Sequence, residues 1–275
     1  MKYMTFNSAC SFAGIANMLE SKGIDVEDYD IALGMELPYM AARSESGYIT
    51  GAMLQEKKYF DIFLKKIGYE LIERYIDRQD VLSILNDTDC TMLGIRIDEW
   101  HKHAVIYKGR DIADDKLVFT NNKHEKSDEP SQIKFGEAQL LKRLDDKVMI
   151  ATLAPYDGDA DNPITLLEAS ISCLNELYEK IVMFSSDFQS HDDVERTRDI
   201  LFRPALLDSA AMIKLIGEEK MAAEIKKLQQ AYIDAAFKSN ERQIRLADSL
   251  DMEALRIVFD DWIELIQKRI RNLEA

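Results

Sequence analysis

Cysteine and histidine are scarce in this chain of 275 residues, which has three of the first and four of the second. Cys10, Cys90 and Cys173 lie too far apart in the sequence for a disulfide framework or a CxxC metal-binding pair. The histidines and cysteines show no zinc-ligand spacing. No glycine pattern of the dinucleotide or phosphate-binding kind occurs either. We therefore expect neither a metal nor another cofactor.

Long apolar runs are also missing, and none approaches the 18 residues of a membrane span. The first residues lack the apolar stretch of a signal peptide, so we expect a cytoplasmic protein in a reducing compartment. The net charge is −15, from 35 basic and 50 acidic residues. Nucleic acids and anionic membranes both need a basic surface, so we expect neither as a partner. The sequence leaves the oligomeric state open, a homo-oligomer included.

Glycine almost disappears from the second part of the chain, since ten of the 11 glycines lie at or before Gly158. The turn-rich segment 155–163 reads as a linker, and its last residue, Pro163, is well placed to begin a helix. Beyond it, apolar residues recur every three or four positions, which predicts one buried face per helix. We expect an all-α bundle over 158–275, with one helix near 191–215 interrupted at Pro204.

The first part of the chain mixes helical and strand patterns. We predict an α+β domain over 1–157, because helices come first and short turns then join strands in an antiparallel manner. The predicted helices span 7–23, 26–33, 55–67, 80–86 and 136–144. The predicted strands span 69–76, 90–98, 103–109, 116–122 and 147–155.

Cys10 lies in the first turn of the first predicted helix, outside its apolar stripe. Unsatisfied N–H groups at a helix start favour a thiolate, and they can also stabilise an oxyanion on a substrate carbonyl. Asn7 and Ser8 are candidates for the helix cap and for the oxyanion site. A small buried cysteine is the alternative interpretation of Cys10. Cys90 and Cys173 lie inside apolar segments and are expected to serve packing.

A nucleophilic cysteine needs a base and a group that orients the base. His103 begins a strand-like run and shares its face with alternate residues, so we favour it over His101 as the base. Asn121 or Asn122 ends the next run, where an amide oxygen could accept the ring N–H and fix its tautomer. An Asn-Asn pair is also typical of a plain turn.

These residues occur in the order of papain-like cysteine enzymes. Residues 7–155 resemble most closely the N-terminal domain of the butirosin biosynthesis protein H family, which is related to the double-glycine-leader peptidases. Three stretches carry the resemblance: NSACSFAGIANMLESKG (7–23), IALGMELPYMAARSESGYITGAM (31–53) and HAVIYKGRDIADDKLVFTNN (103–122). Two departures stand out. No glutamine precedes Cys10, so Asn7 or Ser8 would replace it in the oxyanion hole, and the hairpin ends in asparagine where many relatives have aspartate.

The resemblance implies a papain-like domain followed by a helical region, with Cys10, His103 and Asn121 as a catalytic triad. It also implies transfer of an acyl group from a carrier-protein or coenzyme A thioester to a small-molecule amine. Hydrolysis of a peptide or small amide would use the same residues. The sequence further allows a non-catalytic binding protein that retains the fold, because fold does not dictate function.

Overall fold

A computed structural model of the chain describes residues 1–6, 10–45, 47–88, 90–99, 101–187, 209–242 and 251–275. The fold is mixed α+β, with antiparallel sheets and C-terminal helices. The chain divides into two compact units. Unit 1 comprises Met1–Met35 and Gln55–Asp161, and unit 2 comprises Glu36–Leu54 and Asn162–Ala275. Unit 2 therefore includes Glu36–Leu54, whereas the domain division predicted from the sequence, after residue 157, places this segment in the first domain.

The helices are α1 (Cys10–Glu20), α2 (Asp28–Gly34), α3 (Lys57–Leu64), α4 (Val81–Asp87), α5 (Glu137–Leu141), α6 (Ile164–Asp187), α7 (Ser209–Leu215), α8 (Glu219–Arg242) and α9 (Met252–Glu274). The strands are β1 (Ala41–Ser44), β2 (Gly47–Thr50), β3 (Tyr69–Asp77), β4 (Met92–Arg96), β5 (Lys102–Asp111), β6 (Lys116–Asn121), β7 (Gln132–Phe135) and β8 (Lys147–Pro155). The sequence patterns did not predict β1, β2 or β7, which have four residues each.

Unit 1 is built on one antiparallel sheet with the strand order β3-β8-β4-β5-β6-β7. Alternate residues of its strands point to opposite faces, and each face carries its own apolar layer. One layer joins strand residues to residues from α4 and α5: Val81, Leu85, Leu93, Val105, Tyr107, Leu117, Phe119, Leu140 and Ile150. Helix α1 packs against the other face, where it contacts β4, β5 and β8.

Close packing of α1 on the sheet depends on Gly14. A Cβ atom at this position would lie 2.9 Å from Nδ2 of Asn122 and closer still to Sδ of Met92. Glycine lowers the stability of a helix interior in isolation, so its place here reflects the short distance between helix and strands. The apolar side of the helix is fully buried at Phe12, Ile15 and Leu19. This packing fixes the start of α1 beside β5.

Unit 2 combines the β1–β2 hairpin with the C-terminal helices. Ser170 on α6 exchanges hydrogen bonds with the backbone of Ala41 at 3.0 and 3.1 Å. On α9, the indole of Trp262 donates to the carbonyl oxygen of Pro38 at 3.1 Å. Arg269 forms a two-pronged ion pair with Glu36 at 2.6 and 2.7 Å. Segment Glu36–Leu54 is thus held to its unit by buried polar contacts as well as by packing.

The predicted all-α bundle is described only in part. Helices α6, α8 and α9 carry apolar residues at the predicted spacing of three or four positions, and α9 contacts both of the others. Of the helix expected near 191–215, the structure describes the last turns as α7, and the expected break at Pro204 lies outside the described residues. None of the helices in the described ranges combines the length and the apolar character that crossing a membrane requires.

Candidate active site

Cys10 is the first described residue of α1 and lines a cavity of about 320 Å³ in unit 1. Its side chain is half-buried, whereas Cys90 and Cys173 are buried. His103 and Ala104, at the start of β5, line the same cavity. The two proposed cap and oxyanion residues, Asn7 and Ser8, lie outside the described residues.

The pKa of the Cys10 thiol shifts in the direction opposite to the one that its place at a helix start predicts. Burial raises the pKa of the Cys10 thiol, and backbone N–H groups of Ala104, Ser11 and Cys10 itself offset this only in part. The prediction from the sequence rested on the helix N-terminus alone. Burial also removes water from around the sulfur, and this loss disfavours the charged thiolate. A raised pKa favours the protonated thiol at neutral pH.

His103 is held by Asn121, which is the last residue of β6. The ring Nε2 donates to Oδ1 of Asn121 at 2.6 Å. The amide nitrogen of Asn121 donates in turn to Glu129 Oε2 and to the carbonyl oxygen of Pro130, each at 3.0 Å. These two bonds fix which end of the amide faces the ring, so Nε2 carries the proton. Nδ1 is then the nitrogen that can accept one.

The charge state of His103 suits a base. Burial lowers the pKa of His103, while the hydrogen bond to Asn121 and the charge of Glu129 raise it by less. A lowered pKa keeps the imidazole neutral at pH 7, ready to accept a proton. Within the described residues, Cys10 and His103 share the cavity without a direct hydrogen bond between them. Such contacts often form only when a substrate is bound.

The neighbouring Asn122 has a different role, which separates the two asparagines that the sequence left as alternatives. Its Oδ1 accepts from Asn17 on α1 at 2.8 Å, and its Nδ2 donates to the carbonyl oxygen of Ala104 at 3.0 Å. Asn122 therefore bridges α1, which begins at Cys10, and β5, which carries His103. The two asparagines are adjacent in the chain, so their side chains point in different directions, Asn121 to the His103 ring and Asn122 to α1.

Gln55 lines the cavity beside Cys10, and sequence reasoning missed it. It precedes α3, at the first position of the helix predicted over 55–67, and nothing in that helical pattern marks a glutamine as part of a site. Ser11, the residue after Cys10, donates its hydroxyl hydrogen to Oε1 of Gln55. An amide group thus reaches the cavity from a position after the cysteine in the chain. It is a candidate oxyanion donor of the kind that the sequence before Cys10 lacks.

The other histidines and cysteines have separate surroundings. His101 is exposed and contacts Asp98, and Nδ1 of His124 donates to the carbonyl oxygen of Met4 at 2.7 Å. His191 lies outside the described residues. Burial raises the pKa of Cys173 to about 11. In the described part of the chain, no three side chains of His, Cys, Asp and Glu come together as metal ligands.

Comparison with known proteins does not assign the chain to a family. No protein-family model matches the sequence, and no curated protein matches it.

Proposed function

We propose that unit 1 is a papain-like domain that transfers an acyl group from a thioester to an amine, with Cys10 as nucleophile, His103 as base and Asn121 as the residue that orients the base. The observation that carries this proposal is the shared cavity: a half-buried cysteine and a neutral, asparagine-held histidine line one space. A nucleophile, a base and an orienting group are the three parts that covalent catalysis needs.

In the first half-reaction the Cys10 thiol gives its proton to Nδ1 of His103 as Sγ forms a bond to the thioester carbonyl carbon. Backbone N–H groups at the start of α1 and the amide of Gln55 are the proposed donors to the resulting oxyanion. The donor's C–S bond then breaks, and its sulfur leaves with the proton from the imidazolium. The products of this half-reaction are a free thiol and an acyl group on Cys10.

In the second half-reaction the acceptor amine attacks the acyl carbon on Cys10. The amine proton passes to His103 and then to Sγ as the Cys10–acyl bond breaks. An amide is released, and the enzyme returns to its starting state. Water in place of the amine would give hydrolysis, so the two enzymatic functions share these steps and differ only in the acceptor.

A thioester fits this site better than a peptide bond does. Its leaving thiolate needs little protonation, whereas an amide nitrogen must be protonated before it departs. With either donor His103 takes the Cys10 proton and becomes an imidazolium, but only the amide depends on the return of that proton before its C–N bond can break. The requirement on His103 is therefore smaller with a thioester donor.

The experiment is to mix the protein with simple acyl thioesters, with and without a primary amine, and with generic peptides. Intact mass should show an acyl group on Cys10, and adding the amine should remove it as an amide. Cys10→Ser should lower the rate of product formation by about 10³-fold or more, as loss of a catalytic nucleophile does. Cys173→Ser is the matched control and should leave the rate unchanged. Cys10-dependent peptide turnover without thioester acylation would show a hydrolase instead, and no Cys10 chemistry with either would show a binding protein.

A further inference from the structure

Four residues on neighbouring strands form a row across the sheet of unit 1, along the cavity that Cys10 lines. In order from β5 to β3 they are Ala104, Gly94, Met149 and Tyr75. Tyr75 on β3 is paired with Met149 on β8, and Gly94 on β4 is paired with Ala104 on β5. The pairing of Leu93 with Ile150 places Gly94 level with Met149. Directly opposed residues in antiparallel strands project from the same face. All four line the cavity, and the row begins at Ala104, whose N–H group faces the Cys10 sulfur.

Gly94 lies in the middle of this row and has no side chain. A Cβ atom at Gly94 would meet no atom within 4 Å, and the backbone there is not in the left-handed region. Neither a turn nor close packing therefore requires glycine, although glycine weakens a strand. Gly14 is the opposite case, since a Cβ there would collide with its neighbours. The missing side chain at Gly94 keeps an open channel over the sheet.

The two sides of this channel differ. Met92, on the side toward α1, is buried, and Met149 forms part of the floor, so the inner surface is apolar and adaptable. Lys102 and Lys147 stand on the outer side. Both are already paired with acids, Lys102 with Asp145 and Lys147 with Asp77. The channel therefore offers apolar contact and no uncompensated charge.

We propose that this channel holds the acyl group of the donor and that Gly94 sets the bulk that the channel accepts. The inference rests on the proposed acyl transfer at Cys10. The expected donors are thioesters of unbranched, uncharged aliphatic acids of medium length. From β5 to β8 the chain would cross two strand spacings, or roughly 10 Å. Its carbonyl would lie at Cys10 and its tail over Gly94 toward Met149 and the exposed Tyr75.

The test compares Gly94→Leu with the unchanged protein, using acetyl and octanoyl thioesters as donors. Acylation of Cys10 by the octanoyl thioester should slow by about 10- to 200-fold, the range for a mismatch in an apolar pocket. Acylation by the acetyl thioester should stay within about 2-fold, because a short group does not reach the new side chain. Lys116→Leu, which places the same side chain at an exposed strand position outside the cavity, should change neither rate.

A second measurement keeps this proposal separate from the acyl-transfer proposal. N-ethylmaleimide and N-octylmaleimide both alkylate cysteine without any transfer chemistry, so their rates at Cys10 report only on the channel. Gly94→Leu should slow the octyl reagent selectively. If no thioester acylates Cys10 but the octyl selectivity is present, acyl transfer fails and the channel stands. If Gly94→Leu affects short and long reagents equally, or neither, the channel is not where the chain binds.

Discussion

Asn17 and Asn122, which lie 105 residues apart in the chain, join their side chains by a hydrogen bond of 2.8 Å in the interior of unit 1. Both are buried, with 2% and 0% of their surface exposed. Asn17 lies two helical turns after Cys10, and Asn122 also binds the backbone of Ala104, next to His103. This contact ties the helix of Cys10 to the strand of His103.

Replacing Asn122 with Ala should therefore harm both stability and reactivity. It removes the buried hydrogen bonds of Asn122 with the side chain of Asn17 and with the carbonyl oxygen of Ala104, which costs about 1–3 kcal/mol of unfolding free energy. Urea unfolding measures this loss. The rate of Cys10 acylation should also fall, because α1 is held less firmly against β5. A double-mutant cycle with Asn17→Ala should give a coupling energy of at least about 0.5 kcal/mol. Strict additivity of the two changes would contradict the bridge.

Gly14→Ala should lower the stability of the protein, although alanine normally stabilises a helix by about 0.5–1 kcal/mol relative to glycine. The added methyl group would press on Met92 and Asn122, and overpacking typically costs about 1–3 kcal/mol. Thermal and urea unfolding would show the sign directly. Gly94→Ala is the comparison, since its methyl group meets open space, and it should not lower stability. A stabilised Gly14→Ala variant would mean that α1 lies farther from the sheet.

Glu129→Gln should shift the acid limb of the acylation rate to lower pH. The Glu129 charge raises the pKa of His103, so its removal lowers that pKa. A lower pKa leaves more of the imidazole neutral in acid, and only the neutral ring can accept the Cys10 proton. The amide of Gln can still accept from Asn121, so the plateau rate should change little. The pH profile of Cys10 acylation measures the shift, and a move toward higher pH would argue against the base assignment.

Alkylation of Cys10 by iodoacetamide should increase steadily as pH rises above neutrality, without a reactive plateau in acid. Burial raises the pKa of Cys10, so the thiolate fraction is small at pH 7. Cys10 should still react before Cys90 and Cys173, because those two are buried. Mass mapping after brief, substoichiometric treatment at several pH values tests both points. Rapid alkylation below pH 7 would show a preformed thiolate and imidazolium instead.

Gln55→Met should slow the chemical step at Cys10 while leaving simple alkylation intact. Loss of one oxyanion donor typically costs about 10²–10³ in rate. Methionine is close to glutamine in length but cannot donate. Single-turnover acylation by a thioester gives the rate of the chemical step, and iodoacetamide alkylation, which forms no oxyanion, is the control. An equal fall in both rates would indicate that Gln55 only supports the structure of the cavity.

The sequence predicted the elements that carry the site better than it predicted their contacts. Periodicity located α1 and the β5–β6 hairpin, because each has a regular buried face. Whether Asn121 or Asn122 meets His103 depends on the strand register, which a turn-like Asn-Asn pair does not reveal. Gln55 lies in an irregular segment, so only the folded chain brings it to Cys10. The pKa of Cys10 likewise depends on burial, which no local pattern encodes.

The assignment of Glu36–Leu54 to unit 2 has a consequence for how the protein folds during its synthesis. Glu36 leaves the ribosome early, but its partner Arg269 follows 233 residues later. At about 5–20 residues per second, the segment waits roughly 10–50 s for the helix that it binds. During that time the intervening residues Gln55–Asp161 can complete unit 1. Unit 1 can thus fold while the segment Glu36–Leu54 within it still lacks its partner helices, and this segment docks only after α9 has been made.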